Sequence, residues 1–61
     1  MIDDWVQYNL RQYFKRLKVL KQWLAETDEI TDPVRRAARQ QTLRFEIKET
    51  EKHIDEWMRR I

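Results

Sequence analysis

The stretch "DEITDPVRRAARQQTLRF", residues 28–45, begins with acids, passes through a single proline and continues into arginines 35, 36, 39 and 44. It reads either as the start of a helix that grips nucleic acid or as the corner where one long helix turns back on another. The dipeptide Asp32-Pro33 decides the local structure. A residue before proline is pushed out of the helical region, so Asp32 is placed to cap a new helix. Pro33 then occupies the first helical position, where its missing N–H costs nothing. From there Gln40, Leu43, Ile47, Thr50, Ile54, Trp57 and Ile61 alternate three and four apart. That period predicts a second helix from about Pro33 to Ile61, its seam diluted by a glutamine and a threonine.

Working back from the corner, Leu24, Leu20, Leu17, Tyr13, Leu10 and Val6 keep the same alternation. This is a heptad seam, and it predicts a first helix over about 4–27, opened by the carboxylate of Asp3 or Asp4. The link between the two seams is short, with Ile30 as its one large apolar residue, expected to fold over the helix ends. Short links favour antiparallel neighbours. The fold class expected is therefore all-α, a single helical domain over 1–61 built as an antiparallel αα-hairpin. These features are shared by many unrelated hairpins and point to no particular family.

Composition agrees with that architecture. Charged residues make up 39% and hydrophobic residues 41% of the 61 positions, dominated by straight-chain helix formers. Glycine, serine and cysteine are absent. The chain thus has no disulfide, no thiolate metal site and no glycine-rich phosphate loop, and it lacks the two commonest covalent nucleophiles. Asp3 and Asp4 stand where a signal peptide would carry basic residues, and no apolar run approaches membrane-spanning length. A cytoplasmic protein without membrane contact is expected.

The apolar residues reach beyond one seam. On a wheel of ~100° per residue, Phe14 lies ~80° to one side of the first seam, while Trp5 and Trp23 lie ~100° to the other. Val19 sits further round on the tryptophan side. On the second helix Val34, Ala38 and Phe45 form a line almost opposite the seam. One partner helix cannot cover so wide an arc, and exposed patches of this kind mark interfaces. Trp5, Phe14, Val19, Trp23 and Phe45 are accordingly the candidate oligomer or partner interface, with a homodimeric four-helix bundle the expected assembly.

The rival function rests on charge. Lys18, Lys21, Arg35, Arg36, Arg39 and Arg44 would form a nucleic-acid surface, with aromatics interleaved along the first helix. Against it stand a net charge of only +2 and the absence of the third helix that supports a helix-turn-helix reader. Antiparallel pairing also brings Arg11, Lys15 and Arg16 near Glu46, Glu49 and Glu51, so cross-helix ion pairs are expected. The one histidine, His53, shares a helical face with Glu49 and Glu56. That trio reads as a carboxylate–histidine metal site or as local surface pairs, and the second reading is preferred. No catalysis, cofactor or small-molecule substrate is expected. The leading expectation is a small interaction or regulatory protein that self-associates and engages a larger protein as adaptor, inhibitor or modulator. The alternative is a small nucleic-acid-binding regulator.

Overall fold

A computed structural model describes residues 4–60. Helix α1 (Asp4–Glu26) is followed by a 3₁₀ turn (Thr27–Glu29) and helix α2 (Pro33–Met58). The two helices pack antiparallel into a rod 49 × 14 × 10 Å. Direction is set by the side chains that meet: Trp5 lies edge-on to Trp57 near the open end, with centroids 6.5 Å apart. Midway, the Tyr13 and His53 rings stack at 5.4 Å. At the corner, Gln40 Nε2 donates to Thr27 Oγ1 at 3.0 Å.

The heptad seams are the core. Val6, Leu20, Leu43 and Ile54 are buried, and Leu43 has no accessible surface at all. Leu10, Tyr13, Leu17, Leu24, Ile47 and Trp57 are half-buried along the same line. The two polar seam residues are both satisfied, by different routes. Thr50, buried, donates its hydroxyl to the Glu46 carbonyl one turn back at 2.8 Å. Gln40 reaches instead across to Thr27, whose own hydroxyl donates to the Leu24 carbonyl at 2.6 Å. A polar contact at a core position penalises any slip of one helix past the other, because slippage would leave it buried and unpaired.

The first helix ends one residue earlier than its periodicity predicts, since Thr27 begins the tighter 3₁₀ turn. Many helices stop on a left-handed residue, most often glycine, and this chain has no glycine. Among the described residues none has positive φ. The reversal is built from the 3₁₀ turn, closed by the Ile30 amide on the Thr27 carbonyl at 3.0 Å, and then from extended Ile30 and Asp32. Arg36 donates to the Ile30 carbonyl at 3.2 Å and ties the start of α2 to the corner. Ile30 is half-buried there, as expected of the link's one large apolar residue.

Asp32 caps α2 as anticipated, accepting from the Val34 amide at 3.0 Å with Pro33 in the first turn. Asp32→Ala removes that acceptor. The expected result is a loss of about 1 kcal/mol in urea unfolding, with an unchanged denaturant slope because the surface exposed on unfolding is the same. At the far end α2 stops at Met58 instead of reaching Ile61. The chain closes in a turn, with the Arg59 amide on the Asp55 carbonyl and the Arg60 amide on that of Trp57. The Arg60 guanidinium lies 4.2 Å from the Trp57 ring centroid. Asp3 as a cap and Ile61 as a seam position fall outside the described residues.

Candidate interaction surface

All five side chains singled out for association are exposed: Trp5, Phe14, Val19, Trp23 and Phe45. The fold sorts them into two groups. Seen from the seam, one side of the rod carries Trp5, Val19 and Trp23 on α1, with Phe45 reaching it from α2. An open groove of about 430 Å³ runs between the helices there, lined by Gln12, Lys15, Arg16, Val19, Leu20, Trp23 and Glu46. A second groove continues it toward the open end, with Tyr13, Arg16, Phe45, Glu46, Glu49 and His53 on its walls. A third lies at the corner between Trp23, Ile30 and Arg39. Trp23 borders two of the three, and the Arg39 guanidinium sits 6.0 Å from its ring centroid.

Phe14 does not belong to that face. It lines a separate groove on the opposite side of the rod with Leu17, Glu51, Ile54, Asp55 and Met58. The wheel already contained this split, for Phe14 and the tryptophans fall on opposite sides of the seam. Naming the five as one interface hides it. Two exposed apolar residues join the set: Tyr8, stacked on Trp5 at 6.2 Å, and Met58, beside Phe14. Tyr8 falls far from the seam on the wheel, and its ring reaches the tryptophan side through the stack. Val34, exposed at 76%, continues the outward line of α2 toward Ala38 and Phe45.

Of the six basic residues of the alternative surface, three are engaged at the corner. Arg35 Nε lies 3.8 Å from Asp32 Oδ2, Arg36 holds the Ile30 carbonyl, and Arg39 stands over Trp23. Lys18, Lys21 and Arg44 are exposed and make no ion pair among the described residues. By helical position these three lie on the Phe14 side. The basic residues therefore do not form one continuous stripe.

The expected cross-helix ion pairs are not formed. Among the described residues the ion pairs are Asp32–Arg35 and Asp55–Arg59, with His53 also close to Glu56, all local in sequence. Arg16 shares a groove with Glu46 and Glu49, yet none of the three is within ion-pair distance of an opposite charge among the described residues. The physical reason is that long charged side chains gain little from pairing at a solvated edge and lose rotamer freedom. Here the Tyr13–His53 stack also occupies part of the space between the edges.

His53 makes one local contact, with Nδ1 3.7 Å from Glu56 Oε2, and stacks its ring across the hairpin on Tyr13. Among the described residues no three His, Cys, Asp or Glu side chains converge as a metal site would require. No helix among them is long and apolar enough to cross a membrane. Comparison of the chain with protein-family models, with curated proteins and with solved structures yields no match.

Proposed function

We propose that this chain is a small non-enzymatic interaction protein. It self-associates through the tryptophan face into a four-helix bundle and offers its remaining face to a larger protein as adaptor, inhibitor or modulator. The observation that carries this reading is large apolar side chains left in water on both faces, with Trp23 45% and Phe45 64% accessible on one and Phe14 50% on the other. Contiguous exposed apolar surface favours association, because covering it removes that surface from water at roughly 25 cal/mol per Å². With the tryptophan face covered, Phe14 and Met58 stay exposed on the other side, flanked by Glu51 and Asp55. That second patch is the one available to a different protein.

Sedimentation velocity over a micromolar concentration series is the direct test. The expected result is a species of about twice the 7.7 kDa chain mass that dissociates on dilution. A well-folded monomer at every concentration would remove the basis of the proposal.

One observation favours a second reading. Lys18, Lys21 and Arg44 are solvated cations without ion-pair partners among the described residues, and doubling them in a dimer would strengthen their field. A nucleic-acid-binding regulator using them would show a steep loss of affinity with salt. Absence of any mobility shift with duplex DNA or single-stranded RNA at ~50 mM salt rules that reading out.

A further inference from the structure

Given that the hairpin self-associates, we propose that the partner on the tryptophan face is a second copy aligned corner to corner, with α1 of each copy lying on α2 of the other. The inference rests on the self-association reading and adds the face, the symmetry and the alignment.

Area argues for a second copy. The chain exposes 5217 Å², whereas a compact folded monomer of its mass exposes about 4,300 Å². The excess is on the order of 900 Å², close to the ~800 Å² that each partner contributes to a standard interface. An identical hairpin laid along one face of a 49 Å rod is of the right length to cover it.

Charge selects the alignment. On the tryptophan face the α1 edge is basic at its middle, with Lys15 and Arg16, and the α2 edge is acidic at the same level, with Glu46 and Glu49. Glu46 and Glu49 are half-buried, and none of the four has an ion-pair partner among the described residues. Two identical faces whose rods lie lengthwise on one another pack with two-fold symmetry in two ways. With the axis across the rods, α1 meets α1 and α2 meets α2, so Arg16 faces its own copy and the glutamates face theirs, like charge on like. With the axis along the rods, α1 meets α2, and Arg16 of each copy stands level with Glu46 and Glu49 of the other. Complementary charge fixes register and penalises the wrong orientation. The second arrangement sets Arg16, Glu46 and Glu49, which the hairpin leaves without ion pairs among the described residues, against opposite charge.

The chain contains no cysteine, so Thr31→Cys places a single nitroxide label at the exposed corner. Pulsed electron paramagnetic resonance on the full chain then reads the separation of the two corners. Corner-to-corner alignment gives a label distance below ~25 Å, since packed helices lie only 8–10 Å apart. Opposed corners give on the order of 40 Å, the length of α2 at 1.5 Å per residue. A second measurement uses Arg16→Glu. It raises the dimer dissociation constant roughly tenfold in the proposed alignment, where a glutamate replaces the cation facing glutamates. In the opposed alignment it leaves the constant unchanged, because it exchanges one like-charge contact for another. A dimer with the long distance and no response to Arg16→Glu overturns the alignment and leaves self-association standing. A monomer at all concentrations overturns both.

Discussion

Leu43→Ala is expected to abolish the folded hairpin at low concentration and to leave only an association-dependent residue of structure. Among the described residues Leu43 is the one side chain with no accessible surface, on α2 within the seam between the two helices. Truncating a buried leucine to alanine costs about 2–5 kcal/mol. A single hydrophobic core in a chain below ~70 residues rarely supplies more than 3–5 kcal/mol in total. The two quantities are of the same size, so the substitution removes most of the margin. The measurement is far-ultraviolet circular dichroism during thermal and urea unfolding, at both low and high protein concentration. A cooperative transition within a few degrees of wild type would mean that the seam is not what holds the helices together. Val19→Ala is the matched control. It also shortens an apolar side chain on α1, but at an exposed position, and it should leave the monomer's stability nearly unchanged.

Trp23→Asp should have the largest effect on assembly with little effect on the hairpin. Trp23 is nearly half accessible, borders two of the grooves on its face and takes the Arg39 guanidinium against its ring. Buried tryptophans at the centre of interfaces are enriched among residues whose loss costs 2 kcal/mol or more, and here a carboxylate would also be placed in the covered region. The expected result is a dimer dissociation constant raised at least thirtyfold, the equivalent of about 2 kcal/mol. Helical content at low concentration is kept, because an aspartate beside Arg39 is tolerated at a solvated position. Sedimentation equilibrium combined with circular dichroism reads both quantities on one sample. An unchanged association constant would place the interface elsewhere. Phe14→Asp separates the two faces: it should leave self-association intact and impair only binding of a different protein.

Much of this architecture is legible in the residues alone, for a physical reason. Burial in a two-helix pair repeats with the helix itself, so every described residue of both heptad seams emerges buried or half-buried. The Asp32-Pro33 start is equally readable, since proline restricts the residue before it and aspartate supplies the missing acceptor. Periodicity does not carry rotamers, and the misses lie there. Gln40 reads as a flaw in the seam, yet it reaches Thr27 thirteen residues away through a contact no wheel displays. Arg16 and its neighbouring glutamates read as ion pairs because their backbones are near one another, but long flexible side chains need not meet. Phe14 was separable from the tryptophans by angle, and only the grooves of the folded rod show that the separation amounts to two distinct faces.

The turn without a left-handed residue has a consequence for how this chain tolerates change over generations. Where a bend depends on positive φ, one position is reserved for glycine or asparagine, and drift there is forbidden sterically. In this bend every described backbone angle suits any ordinary residue. The constraint moves to three side-chain tethers, the Thr27 hydroxyl, the Asp32 carboxylate and the Arg36 guanidinium. Neighbouring positions such as Asp28, Glu29 and Thr31 are exposed and outside those tethers. Descendants of this sequence can vary them freely, and a longer loop would add only a fraction of a kcal/mol in closure entropy.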